Sequence, residues 1–446
     1  MYLVPRHFAA LIISICLILI SASASAQDAG QILLSGRPLT AVTVTGNSAF
    51  SIDTVLDLLP ALQKGAPVDA KRLSDEVLAV NENQALKVFV TLQSDGASGV
   101  IANVLVKDSK PVTWLLSADN TGTPQTGSYR STLAYIDRNW SGSGQTAAFS
   151  FTGSPSMWSR IKEFAFYDAI PLPQTGDSLI ISGSYSNVNS GVVADYFGVQ
   201  GEGTAYGAHY QHVLNRTVNG KEGLDFGLDA RIFNNLINFF GSNLGTRVKT
   251  APVSAGYFIN ETSPNSMVNA HLSYSRNLPS LSSSADLFTA SRAGATANYG
   301  IWRLDGSMSW PMKNGWLFVT SIDGQYANQP LISGEQFFLG GGRSVRGFPE
   351  QTVSGDRGFR LSTELYTPEI APRQKLVIFV DQGEYWRLDP QVGEVPQDYL
   401  ASVGIGWRYL KPGGLSLALD FAYVLNGIPT VTPHSTRVHF SITQEL

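Results

Sequence analysis

From Lys110 to the C-terminus, apolar and polar residues alternate in runs of about ten, separated by turn residues. Leu415, Leu417, Leu419, Phe421 and Tyr423 alternate with Ser416, Ala418, Asp420 and Ala422, and Trp302, Leu304, Met308 and Trp310 with Arg303, Asp305, Ser307 and Ser309. Side chains of a strand point to opposite faces in turn, so each run has one greasy face and one polar face. About sixteen runs begin near Val112, Ser128, Gln145, Arg160, Ser178, Gly201, Glu222, Arg247, Met267, Thr296, Trp316, Arg357, Lys375, Tyr399, Leu415 and Thr436, and none shows a helical period. An even number of such strands predicts an all-β transmembrane β-barrel of about 16 antiparallel strands at 109–446. Its polar face carries charges of both signs, so the lumen is water-filled or plugged rather than a packed core.

The connections alternate in length. NWSGSG, PLPQTGD, NETSPN, WPMKNG and LKPGG are tight turns, whereas the links near 187–200, 233–246, 277–292, 327–355 and 385–398 are longer. Short turns belong on the periplasmic side of such a barrel and long loops outside.

The first hundred residues have a different pattern. Leu39 to Val44 reads as a strand, Ser51 to Leu62 and Asp69 to Asn81 carry apolar residues at helical spacing, and Leu86 to Leu92 and Val100 to Val106 read as strands joined at Asp95-Gly96. This β-α-α-β-β order predicts a small α+β domain at 38–108, one helical layer on one sheet. Ahead of it, Arg6 and His7, the apolar run from Phe8 to Ile20 and the small residues ending at Ala26 predict a secretory signal peptide at 1–26, followed by a short linker at 27–37.

Composition narrows the chemistry. Of 446 residues only 15% are charged and 11% are aromatic, a balance that suits a barrel. The net charge of −4 gives no basic footprint for nucleic acid. Cys16 is the sole cysteine and lies in the expected signal peptide, which removes disulfides, thiol catalysis and cysteine-bound metals from the mature protein. His209 and His212 stand three apart on a strand and face opposite ways, so they do not share a metal. His271 and Ser273 share a face but lack a third member for hydrolysis. There is no phosphate-binding loop, and no cofactor is expected.

One stretch carries a paired signal. In LVIFVDQGEYW, Phe379, Asp381 and Gly383 share one face while Leu376, Ile378 and Val380 make the other; in the preceding run Phe359, Leu361 and Leu365 oppose Arg360, Ser362 and Glu364. Before these lies the long Gly-rich loop 327–355, with Phe337, Phe338 and Leu339 against disorder and Arg346 able to offset a partly desolvated Asp381 in a polar lumen. SVRGF at Ser344 to Phe348 together with FVDQG at Phe379 to Gly383 resembles the loop and wall motifs of the Omp85 superfamily. The layout is most similar to two-partner-secretion transporters of the haemolysin-activator family, and the 38–108 domain resembles a POTRA domain.

The resemblance implies an outer-membrane transporter of a Gram-negative bacterium, not an enzyme, that passes a secreted client polypeptide outward. Val345, Arg346, Gly347, Phe348, Phe379, Asp381 and Gly383 would form the loop lock or gate. The periplasmic domain would capture unfolded client by strand addition, with Leu86, Val88, Val90 and Leu92 as the residues at its groove, unless they are simply core. Implied partners are that client, outer-membrane lipid and lipopolysaccharide, and periplasmic chaperones and barrel-assembly machinery during biogenesis. The alternative within the superfamily is a barrel assembly and insertion factor. Two departures stand out: relatives of this type commonly carry two POTRA domains, where the residues ahead of the barrel suffice for one, and the last strand ends in Leu446 where an aromatic is usual.

Overall fold

Two capped helices and three strands build the first part of the chain. The computed structural model describes residues 34–96, 98–123, 126–158, 161–187, 202–234, 238–239, 242–243 and 246–446; the expected signal peptide and the start of the linker lie outside them. Ser51 accepts a hydrogen bond from the Thr54 N–H and starts α1 (Ile52–Asp57), and Asp69 accepts one from the Arg72 N–H and starts α2 (Ala70–Val80), both at 3.0 Å. α1 stops short of the expected Leu62 because Pro60 has no N–H to continue the ladder and disfavours helical backbone at Leu59. β1 (Leu39–Thr45) runs parallel to β3 (Gly99–Asp108), which pairs antiparallel with β2 (Leu86–Asp95), giving the order β1-β3-β2. Val55, Leu59, Leu73 and Val80 from the helical layer meet Leu86, Val88, Val100, Ala102, Val104 and Val106 from the sheet in one apolar core.

The barrel wall follows: β4 (Val112–Asp119), β5 (Arg130–Trp140), β6 (Gln145–Gly153), β7 (Lys162–Leu172), β8 (Asp177–Ser186), β9 (Glu202–Thr217) and β10 (Gly220–Asn234). After a short pairing of β11 (Asn238–Phe239) with β12 (Ser242–Asn243), the next wall strand comes in two pieces, β13 (Arg247–Thr250) and β14 (Pro252–Ser263). They part at Ala251 because Pro252 has no N–H for the ladder, and the Ala251 N–H turns to the Asn277 side chain at 2.8 Å. β15 (Ser266–Asn277), β16 (Gly300–Pro311) and β17 (Leu317–Ala327) precede a long loop that holds β18 (Phe337–Leu339) and β19 (Val353–Gly355). The wall resumes with β20 (Arg357–Tyr366), β21 (Gln374–Trp386), β22 (Gln397–Leu410), β23 (Leu415–Asn426) and β24 (Thr436–Glu445). β24 pairs back onto β4 from Ser441↔Asp119 to Glu445↔Leu115, closing a sixteen-stranded antiparallel barrel.

Alternation sorts the two faces as the pattern requires. Along β21, Leu376, Ile378 and Val380 are 42%, 51% and 46% exposed on the outside, while Phe379 and Asp381 are 1% and 0% exposed on the inside. No helix among the described residues is long and apolar enough to cross a membrane, and the strands do the crossing. Besides the short β11–β12 and β18–β19 pairings, α3 (Ala285–Ser291) has no counterpart in the sequence pattern: it is a short helix in the loop between β15 and β16, whose Phe288 is wholly buried.

The α+β module sits against three short turns at one end of the barrel, the β7–β8 turn being met by Arg72 Nη2, which donates to Gln174 Oε1 at 3.3 Å. Asn83 Nδ2 donates to the carbonyls of Arg138 and Gly144 at 2.7 and 3.1 Å, and Thr54 Oγ1 to that of Gly142 at 2.7 Å. Glu82 takes Arg216 at 2.8 Å and Lys221 at 2.6 Å beside the β9–β10 turn. The loop 328–356 leaves and re-enters the wall at the opposite end.

Candidate functional site

Loop 328–356 descends into the lumen instead of projecting from the barrel. Its stem is a small hairpin, Phe337↔Gly355 to Leu339↔Val353. Below the stem, Val345 and Phe348 are both fully buried among Leu339, Tyr385, Leu400 and Val424, so two apolar side chains hold the tip against the wall formed by β21, β22 and β23.

Between those two anchors stands Arg346, 5% exposed. Its Nε donates to Asp381 Oδ2 at 2.7 Å and its Nη2 to Oδ1 at 2.8 Å, while its backbone N–H reaches Oδ2 at 3.1 Å. Such a fork-to-carboxylate pair fixes orientation as well as charge. Nη1 donates to Glu364 Oε1 at 2.7 Å and lies 3.4 Å from Asp420 Oδ2, and the guanidinium carbon lies 3.5 Å from the centroid of the Phe379 ring. Asp420 is shared with Arg408, at 2.6 and 3.0 Å, and Ser362 Oγ donates to Asp381 at 2.6 Å. Two guanidinium groups therefore face three carboxylates, and each buried charge has opposite charge or a donor within reach. Removing one partner of such a buried pair costs about 3–5 kcal/mol, because the other is left uncompensated.

Two glycines make the approach possible. Gly347 holds φ at +95°, and a Cβ there would come within 3.1 Å of Val424; with no side chain in the way, its N–H donates to His439 Nε2 at 3.1 Å. A Cβ at Gly383 would meet the Leu339 side chain at 2.8 Å, so this leucine of the hairpin stem would have to shift. A polar cavity of about 280 Å³ opens between the tip and the wall, lined by Arg343, Arg360, Glu364, Arg408, Asp420 and Ser441 among others.

The structure thus brings Val345, Arg346, Gly347, Phe348, Phe379, Asp381 and Gly383 into one place. Glu364, Ser362, Asp420 and His439 complete the cluster and were not assigned to the lock from the sequence. Each is visible there only as one polar position in an alternating strand, and nothing local says that three strands converge on the same arginine or that a fourth meets Gly347 beside it. The candidate client residues of the module lie on the inward face of β2. Leu86 and Val88 are 0% exposed and belong to its core, with Val90 and Leu92 packed against that core, because this face of β2 lies on the helices. The opposite face of β2 carries Phe89, 50% exposed, and β2 lies at the edge of the sheet. The two histidines are engaged separately: His209 Nδ1 and Nε2 lie 2.8 and 3.2 Å from Asp225 and Asp229, and His212 Nδ1 lies 3.1 Å from Asp177.

Comparison with known proteins places this geometry in context. Residues 96–409 match the family described as haemolysin secretion/activation protein ShlB/FhaC/HecB. The outer membrane transporter CdiB-2 of Burkholderia pseudomallei (strain 1026b) is 26% identical over 391 residues, covering 78% of this chain and 61% of the relative. The outer membrane transporter CdiB of Dickeya dadantii (strain 3937) is 41% identical over 69 residues, 16% of this chain and 12% of that one. The chain thus spans less than two thirds of the length of these curated relatives. Among solved structures, CdiB from Escherichia coli superposes with a TM-score of 0.70 at 19% identity, covering 93% of this chain and 77% of that one. BamA from Haemophilus ducreyi lacking POTRA domains 1-3 gives a TM-score of 0.59 at 14% identity, covering 92% and 85%.

Proposed function

The chain belongs to the haemolysin secretion/activation protein family ShlB/FhaC/HecB, and from that premise we propose that it exports one partner polypeptide through its own lumen. It is an outer-membrane β-barrel of the two-partner-secretion type. In this reading the α+β module is a POTRA-like domain facing the periplasm, and loop 328–356 enters from the cell surface. An unfolded client adds as a strand along the open edge of β2, where main-chain hydrogen bonds give affinity without demanding one sequence. The inward side chains Leu86, Val88, Val90 and Leu92 support that edge from behind. The barrel then conducts the client when the Arg346 tip leaves Asp381, and folding of the client outside supplies the drive.

The observation that carries this reading is the buried Arg346–Asp381 pair: it holds a loop across a lumen lined with charge, and a wet cavity lies beside it. A pair in a dry core has nowhere to go, whereas this one borders space and alternative carboxylates. The barrel-assembly alternative has the weaker structural likeness, through BamA, and no observation favours it over export. The test is a quantitative comparison of culture medium and outer-membrane fraction with and without the gene. Loss of one large protein from the medium with an unchanged membrane profile is expected. A joint fall of many barrel proteins in the membrane would overturn export in favour of assembly.

A further inference from the structure

The same loop is held at two further places, and their chemistry differs from that of the tip. At its first foot Glu335 is 2% exposed. Its Oε2 accepts from Arg231 at 2.9 Å and Arg303 at 3.1 Å, and its Oε1 from Tyr299 at 3.0 Å and Thr250 at 3.2 Å. At the second foot Asp356, 0% exposed, accepts from Arg292 at 2.5 Å, from the Leu331 and Leu388 N–H groups at 2.8 and 2.6 Å, and from Gln336 at 3.3 Å. Gln325 Nε2 donates to the Glu335 carbonyl at 2.9 Å, and Arg357 Nε to the Ala327 carbonyl at 2.6 Å, closing the loop's base on the wall. Around these groups lies an apolar cluster containing Phe233, Val248, Phe288, Leu331 and Ile332, so the feet are joined to β10, β13, β16 and the α3-bearing loop.

The tip is packed too, through buried Val345 and Phe348, but differs in what lies beside its charge. It borders the polar cavity, and Gly340, Gly341 and Gly347 hold φ at +103°, +112° and +95°, backbone states in which glycine is unstrained. When Arg346 leaves Asp381 it keeps Glu364, Asp420 and the polar cavity within reach, and Ser362 still donates to Asp381. If Glu335 or Asp356 lets go, a carboxylate and its arginines are stranded inside an apolar cluster, the costlier event. We propose that the loop works as a flap hinged inside the barrel: Glu335 and Asp356 are fixed anchors, residues 340–348 are the moving part, and the loop is never drawn out to the cell surface. This rests on the reading of the Arg346–Asp381 pair as a releasable lock, and the test separates the two.

Ser344→Cys places a thiol on the tip, and Val392→Cys, in the fully exposed loop between β21 and β22, is the surface control. Intact cells are treated with a poly(ethylene glycol) maleimide too bulky to enter the barrel, and permeabilised cells with a small maleimide. Releasing the tip by Asp381→Asn is expected to speed the small reagent at Ser344→Cys by about a hundredfold or more, with the bulky reagent still excluded. Adding Glu335→Gln and Asp356→Asn is expected to admit the bulky reagent from outside. Labelling by the bulky reagent with Asp381→Asn alone, at the rate of Val392→Cys, overturns the flap. An unchanged rate with the small reagent overturns the lock instead. Heat-modifiable migration on gels reports folding of each barrel, and if the triple variant does not fold, the Asp381→Asn arm alone decides.

Discussion

Arg346 is bound to Phe379 as well as to Asp381: the guanidinium carbon lies 3.5 Å from the ring centroid while the fork takes the carboxylate two residues further along β21. One strand face thus supplies both a π surface and an anion, and the geometry suits a planar cation better than a point charge. Arg346→Lys is therefore expected to behave as a partial loss despite its unchanged charge. In barrels refolded into vesicles, stability should fall in the order native, Lys, Ala, and an Arg346→Ala, Asp381→Ala cycle should give a coupling of about 3 kcal/mol.

Gly404 stands opposite Phe379 on β22, where an added Cβ would come within 2.2 Å of the ring. Gly404→Ala is expected to displace that ring from beneath Arg346 and to lower the temperature of the heat-modifiable gel transition. Combining it with Phe379→Leu should restore only part of the loss, since the clash with the ring goes but an added Cβ still comes within 2.3 Å of the Phe421 carbonyl oxygen. Equal loss in the single and double variants would mean that the backbone, not the ring, needs this glycine.

Leu86 faces the helices of the α+β module, so Leu86→Ala is expected to act on stability and not on client choice. Its wholly buried side chain sets a cost of about 2–5 kcal/mol, read as lost hydrogen-exchange protection across β2 and β3. Phe89→Ser, on the exposed face of the same strand, should leave that protection in place.

Asp108 closes the module by accepting N–H groups of Ser48, Ala49 and Phe50 at 2.8, 2.7 and 2.9 Å. Burial pushes its carboxyl up, but these donors outweigh burial and hold it below the usual carboxylate range. A carboxyl whose folded value is depressed adds stability above its unfolded value, about 4, and loses it as pH falls through the lower folded value. Amide protection of residues 48–50 is therefore expected to drop at acid pH in the native protein. In Asp108→Asn it should be lower at neutral pH and flat with acidification.

Much of this architecture was legible in the sequence, for a physical reason. A strand with lipid on one side and water on the other has to alternate, so runs such as Leu415 to Tyr423 declare both their existence and their faces, and Asp381 could be placed in the lumen from Leu376, Ile378 and Val380 alone. The partners of Glu335 and Asp356 could not be read in this way. Arg231, Arg303 and Arg292 come from distant strands and a loop, and their meeting is set by how the wall curves and how far the loop descends. α3 escaped because seven residues carry too little periodicity to stand out from a loop, although Phe288 is what it buries. Leu86 and Val88 were readable as one face of a strand, but not as the face that the helices cover.

The central claim is that the Arg346 tip must move for a client to pass. An ideal Cβ on Gly347 lies 3.6 Å from the Ser402 Cβ, within the range a disulfide spans; a side chain at 347 is strained at φ +95°, so Gly347→Cys with Ser402→Cys pins the tip to β22 at a cost that the Gly347→Cys single variant measures by itself. Secretion of the client identified from the culture medium is then measured with and without reductant. The account predicts secretion near zero while the bond is intact and recovery to the level of the single variants once it is reduced. Full secretion through a barrel shown to carry the bond would contradict it.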